Sequence, residues 1–195
     1  MSVSESLRGD AVALKQGAKN LNDSFSLINT ADGSLNEQAS MLIRLREISA
    51  QSATGTIGDT ERATLNMEFS ALRTEFDRIA ATTEFNSKKL LDGSLAATNS
   101  KTTIIQLGLD SSENNRFNLN KEINLTATTS SKLGFSSDNI STDTAALTAM
   151  DNLAKAIEKL SAIRGRVGAV QERLEHAKAH LDTSVENLNG AISTM

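Results

Sequence analysis

Leu21-Asn-Asp-Ser-Phe-Ser-Leu-Ile28-Asn-Thr-Ala-Asp-Gly-Ser-Leu35-Asn-Glu-Gln-Ala-Ser-Met-Leu42 is the stretch on which the fold of this chain turns. Leucine or isoleucine falls on every seventh position, and the series runs back through Leu14 to Leu7. Ala11, Ala18, Phe25 and Ala39 fill the slot four residues on, which makes a heptad seam. Asp32 and Arg46 interrupt that second stripe, so uneven burial is expected along it. From about Glu5 to Ala53 such a helix is ~73 Å long at ~1.5 Å per residue, which makes it a rod. Gly33 costs roughly 1 kcal/mol against alanine inside a helix and marks a place for a local bend.

Working outward, Thr54-Gly55-Thr56-Ile57-Gly58-Asp59 reads as a stop and a turn, with Asp59 placed to accept from the first amides of a second helix. Leu65, Phe69, Leu72, Phe76 and Ile79 then alternate by four and three, so one stripe of that helix faces the first, as in a helical hairpin. The chain leaves the helix between Thr82 and Gly93. Ile105, Leu107 and Leu109 alternate, Asp110 to Asn115 make a turn, and Phe117 with Leu119, then Ile123 with Leu125, alternate again. Period two around an Asn/Ser turn predicts a β-hairpin.

From about Thr144 the helical period returns, with Leu153, Leu160, Val167, Leu174, Leu181, Leu188 and Met195 seven apart. The companion positions change side midway, from Met150 and Ile157 to Ile163, Val170 and Ala177, and then to Val185 and Ile192. Gly165 and Gly168 fall within that shift, where a neighbouring helix could approach or the helix could kink. Two rods at opposite ends of one chain pair most economically antiparallel. The expected fold is mainly α: long antiparallel coiled-coil helices, a shorter packed helix and a small β-hairpin module. Neither seam shows an end, as expected of a piece of a longer chain or of helices continued in an assembly.

Composition narrows the chemistry. The 195 residues contain no Pro, Cys, Trp or Tyr, and six Phe are the only aromatics. Absence of cysteine removes disulfides, thiolate metal sites and a cysteine nucleophile. A net charge of −4, with both signs dispersed, offers no basic tract for nucleic acid or an anionic membrane. No apolar run reaches the ~18–20 residues of a membrane span, and Met1-Ser-Val-Ser-Glu-Ser6 lacks the regions of a secretory signal.

Several segments carry a resemblance. Leu21 to Glu37, Leu42 to Ala53, and Thr83-Glu-Phe-Asn-Ser-Lys-Lys-Leu-Leu-Asp-Gly93 resemble the bacterial flagellin pattern, in family order. Gln106 and Gly108, Leu133-Gly134, and Val167-Gly-Ala-Val-Gln-Glu-Arg-Leu-Glu-His176 are similar to its β module and C-terminal helix. The resemblance implies the core domain called D1. Residues 1–93 would form its N-terminal half, 94–139 its β module and 140–195 its C-terminal helix. Set against the family pattern, the resemblance implies a core without the terminal D0 segments and without large outer domains. It implies a structural subunit of the flagellar filament, packing with other flagellin subunits for motility and exported without a cleaved signal peptide. The alternatives are the hook-filament junction protein, and a non-polymerising rod recognised as a ligand or adaptor. Arg44, Ile48 and Glu68 match positions at which the family contacts the animal receptor TLR5 and neighbouring subunits, while Ile43 stands where many receptor-activating flagellins have Gln. A chain without its terminal helices is expected to be monomeric at micromolar concentration.

Other constellations read as surface. His176 and His180 share a helix face, but Ala177 stands where a zincin helix needs Glu and no third ligand is evident, so no metal or cofactor is called for. Gly165-Arg-Val-Gly168 is not a dinucleotide loop, and no Ser-His-Asp arrangement sits in a strand-turn-helix setting, so no enzyme is expected.

Overall fold

The heptad of the first fifty residues is one unbroken helix. The computed structural model describes residues Ser2–Ser193 of the chain, and side-chain surroundings from Glu5 onward except at Asn114, so Met195 lies outside the described residues. In chain order the elements are α1 (Ser2–Ser52), α2 (Asp59–Thr82), β1 (Glu84–Phe85), β2 (Lys88–Lys89), β3 (Ile104–Gln106), β4 (Arg116–Asn118), α3 (Leu119–Ile123), α4 (Ser130–Leu133) and α5 (Asp143–Ser193). The fold is mainly α. Helices α1 and α5 run antiparallel: Gln171 Nε2 donates to Asn29 Oδ1 at 2.8 Å, and Arg164 pairs with Asp32 at 3.5 Å. Helix α2 folds back on the other side of α1, with Gln38 Nε2 donating to the Phe76 carbonyl at 3.2 Å and Arg44 meeting Glu68.

The core is a line rather than a ball. Along α1, Leu14, Leu21, Ile28, Leu35 and Leu42 are buried as the period requires, while Leu7 is half-buried at the end of the rod. The second stripe corrects the sequence reading. Ala11 is buried as expected, but from there on the stripe lies three residues on, not four: Gly17, Ser24, Ala31, Gln38, Leu45 and Ser52 are buried, whereas Ala18, Phe25 and Ala39 are only half-buried and Arg46 is exposed. The physical reason is what this stripe faces. A Cβ on Gly17 would lie 3.1 Å from the Leu107 carbonyl carbon and closer still to its oxygen. Asn20 Nδ2 donates to Gln106 O at 3.0 Å, Gln38 also reaches Thr128 O at 3.2 Å, and Ser52 Oγ donates to Ile140 O at 2.6 Å. Irregular backbone packs directly on α1 along this stripe, so small and polar residues serve where large apolar ones would not fit.

Helix α5 also departs from the expected shift of sides. Ala149, Ala156, Ile163 and Val170 form one straight buried stripe beside Leu153, Leu160, Val167, Leu174 and Leu181, whereas Met150, Ile157, Ala177, Val185, Leu188 and Ile192 are half-buried. Alanines hold the slot in the first half, where they let α5 pack close. Gly33, Gly165 and Gly168 have nothing within 4 Å of a built Cβ, and both long helices run unbroken through them.

In α2, Phe69 and Phe76 are fully buried, and the Phe76 ring meets Phe135 edge-on at 5.2 Å. Leu65, Leu72 and Ile79 are half-buried at its margin. Asp59 is not the cap: Gly58 is, with no side-chain bond, and Asp59 begins the first turn, where a carboxylate favours the positive helix end. The turn is held instead by buried Arg62, which donates to Ser52 O and, at 3.3 Å, to Ile57 O.

The β module is both confirmed and enlarged. Strands β3 and β4 pair antiparallel, Ile105 opposite Phe117. The expected second alternation at Ile123 and Leu125 is instead α3 followed by extended chain, since Leu119 and Ile123 bury at helical spacing. A second hairpin, β1–β2, turns through Asn86 and Ser87 at φ 48° and 62°. Its Asn-Ser turn adopts the left-handed conformation usually signalled by Asn-Gly, which hid it. Side chains on helices hold the long return to α5: Asp77 accepts from Ser130 N and Oγ, both at 2.6 Å, Asn66 Oδ1 accepts from Ile140 N at 2.9 Å, and Lys159 donates to Leu133 O at 3.0 Å.

Candidate assembly surface

Antiparallel packing of α1 and α2 brings Arg44 and Glu68 together from 24 residues apart. Met41 and Ile48 lie on the flank of α1 turned to α2, half-buried and fully buried respectively, and Arg44 falls between them at the rim. Its guanidinium donates from Nε at 3.0 Å and Nη2 at 2.7 Å to Glu68 Oε1, and from Nη1 at 3.3 Å to Glu47 Oε2. These bonds hold the Arg44 pKa above its ordinary value, Glu68 contributing most. All three side chains stay about half exposed, so the trio adds little stability and is available to a partner. Ile43 and Met67, the residues just before Arg44 and Glu68, are 55% and 66% exposed. Charge with exposed apolar surface is the make-up of a contact patch.

Ile48 does not belong to that patch. It is fully buried, because its position on α1 points inward between Leu45 and Ser49, and it has no surface to offer a partner. The seam residues Leu21, Ile28, Leu35, Leu42, Leu153, Leu160, Val167, Leu174 and Leu181 are buried within the chain, with Leu14 at the edge of burial and Leu7 and Leu188 half covered. Sequence reasoning passed over Val12 and Leu147, which lie off the seam at 69% and 56% exposure. The signal was present: large apolar residues on polar helix faces.

His176 and His180 are exposed, and among the described residues no group of three His, Cys, Asp or Glu is placed to hold a metal. Gly165 to Gly168 lie inside α5, where there is no loop to cradle a phosphate. No helix of the described residues is long and apolar enough to cross a membrane.

Comparison with known proteins supplies the context. Residues 1–96 match the family model of the bacterial flagellin N-terminal helical region, and residues 150–195 match that of the C-terminal helical region. A flagellin of Halalkalibacterium halodurans is 36% identical over 193 residues, 99% of this chain and 68% of that protein. A flagellin of Bacillus subtilis is 34% identical over 218 residues, 99% of this chain and 71% of that protein. The crystal structure of Bacillus cereus flagellin superposes with a TM-score of 0.71 at 29% identity, covering 84% of this chain and 88% of that one. A structure assigned to a flagellar hook-associated protein from Vibrio parahaemolyticus gives 0.79 at 12% identity, covering 98% and 95%, a likeness of fold alone.

Proposed function

The chain belongs to the bacterial flagellin family and is a structural subunit of the flagellar filament, and on that premise we propose that its Arg44–Glu68 ridge is a contact between neighbouring subunits. The observation that carries this is the exposed, mutually bonded pair flanked by exposed Ile43 and Met67. An ordered pair has already lost much of its side-chain freedom, so a partner that binds it meets a smaller entropic cost. The pair adds little to the fold because both side chains stay about half exposed, which leaves it available to a neighbouring subunit.

Residues 1–93, 94–139 and 140–195 are read as the two halves of the D1 core and the β module between them. The family-model boundaries at 96 and 150 and the position of β3–β4 support this division. The hook-filament junction reading has support in fold only, while flagellins match along the whole chain. Export without a cleaved signal peptide fits a chain with neither cysteine to crosslink nor proline to isomerise slowly. The receptor TLR5 would meet the same ridge through Arg44 and Glu68, on free subunits, without Ile48. The role is structural rather than catalytic. By itself the chain is expected to be monomeric at micromolar concentration, its seam being satisfied internally from Leu21 to Leu174.

The test is Arg44→Ala with Glu68→Ala in cells whose only flagellin carries this sequence together with terminal segments like those of its longer relatives. Shortened or missing filaments, with an unchanged unfolding temperature of the purified subunit, are expected. Filaments of normal length and stiffness would overturn the assignment. Receptor binding is read separately, by titrating the monomer and its double variant against the TLR5 ectodomain, and equal affinity would remove these residues from recognition.

A further inference from the structure

His176 and His180 are the chain's two histidines, and both stand exposed on α5. Four residues apart on a helix, they lie about 40° from each other around the axis and about 6 Å along it, one turn over the other. Among the described residues no hydrogen bond or ion pair engages either ring; the bond at His180 is to its carbonyl, which accepts from Ser184 Oγ at 2.9 Å.

The charges around the pair favour a cation. Lys178 lies between the histidines in sequence but on the far side of the helix, where it pairs with Asp182 at 2.7 Å. Arg173, three residues before His176, is turned to Glu122 and over the Phe117 ring, 5.3 Å from its centroid. Glu172, four residues before His176, is exposed on the histidine side and makes no ion pair among the described residues. In the next turn the Thr183 and Ser184 hydroxyls donate to Ala179 O and His180 O, so they belong to the helix backbone. Among the described residues no third His, Cys, Asp or Glu joins the pair as a ligand, which rules out the ligand set of a resident zinc centre. Two imidazoles in chelating register remain, with the other coordination positions left to water.

We propose that His176 and His180 form a surface site for an exchangeable transition-metal dication of the copper(II), nickel(II) and zinc group, held by one nitrogen of each ring. The spacing is that of the two histidines a zincin helix uses on one metal, and imidazole selects these ions over magnesium and calcium. The site also falls where the core thins: Leu174 and Leu181 are buried, and past Leu181 no described residue of α5 is. An ion bridging the two rings closes one helical turn, so it holds α5 against fraying just where packing ceases to do so. The site is separate from the Arg44–Glu68 ridge and does not rest on the filament-subunit reading.

The test is calorimetric titration of the purified chain at pH 7.5 with copper(II), nickel(II), zinc, calcium and magnesium in turn. One copper(II) per chain is expected, bound more tightly than nickel(II) or zinc, with no heat from calcium or magnesium. His176→Ala and His180→Ala should each weaken binding at least about tenfold, the loss usual even for an outer partner of a metal ligand. Both positions are exposed, so melting without metal should be unchanged in either variant. Geometry is separated from histidine count by combining His180→Ala with Lys178→His, which keeps two histidines but sets them on opposite sides of the helix. That variant should bind no better than His180→Ala, and full affinity in it would overturn the proposal. Copper(II) spin resonance should show two coupled nitrogens in the unsubstituted chain, and amide exchange over residues 176–184 should slow when the ion is bound. Affinity unchanged by loss of either histidine, or equal uptake of calcium, would likewise refute the site.

Discussion

Replacing Gly17 by alanine should destabilise the subunit, although the same change at Gly33 should stabilise it. In a helix interior alanine is favoured over glycine by about 1 kcal/mol, because glycine loses more backbone freedom on folding. Gly33 has open space around a built Cβ, so Gly33→Ala should keep that gain. At Gly17 the new methyl meets the Leu107 backbone, 3.1 Å from the carbonyl carbon and nearer to the oxygen, against roughly 3.3–3.6 Å for an ordinary carbon–oxygen contact. The obstacle is main chain and cannot rotate away, so the β3–β4 hairpin must lift off α1. Overpacking of this kind costs about 1–3 kcal/mol. Loss of the bond from Asn20 Nδ2 to Gln106 O adds about 0.5–1.5 kcal/mol. Set against the 1 kcal/mol gain, the net loss is about 2 kcal/mol, and the two variants should differ by about 3. For a chain of this length each kcal/mol moves the midpoint by about 2–4 °C, so thermal melts followed by circular dichroism at 222 nm should separate the variants by about 6–12 °C. A Gly17→Ala protein as stable as Gly33→Ala would refute the claim that the hairpin backbone rests on this glycine.

Phe76→Ala should cost about 3–5 kcal/mol in urea unfolding, since it empties the centre of the α2 contact and removes the edge-on ring pair with Phe135. Ile48→Ala should lower stability by about 2–5 kcal/mol, and any loss of assembly in that variant should track its unfolding rather than a surface contact, as melts of the purified subunit would show. Hydrogen bonds from Ser112 and Asn115 hold the Asp110 carboxyl below its ordinary pKa, and the bond from Arg78 does the same for Glu75. A depressed folded-state pKa contributes stability that is complete above the unfolded value and is lost as pH falls through the folded one. Carbon-detected NMR titration should therefore show both groups still ionised where unperturbed carboxylates are half protonated, with turn 110–115 loosening only below that range.

The helical rods were legible because burial on a long helix repeats every seven residues and leucine marks it. What periodicity could not show was the second stripe of α1. Counting large apolar residues selected Ala18, Phe25 and Ala39, whereas Gly17, Ser24, Gln38 and Ser52 are the residues the fold buries. Their burial depends on polar partners up to 90 residues away, in Leu107, Thr128 and Ile140, which no local window contains. The same limit hid the straight stripe of α5, where Ala149 and Ala156 are as fully buried as the leucines beside them. At the contact ridge, the family resemblance named Arg44, Ile48 and Glu68 together. Only packing separated the two that face outward from the one that does not.

The amino-acid order alone determined two rods, a return helix and a turn-rich module, because these follow from repeat length and turn chemistry within a few residues of each position. Tertiary structure decided which faces are left over. A surface is what remains after every element has buried its partner's share, so Arg44 with Glu68 became a candidate contact only when the packing of α2 on α1 set both at the rim and turned Ile48 inward.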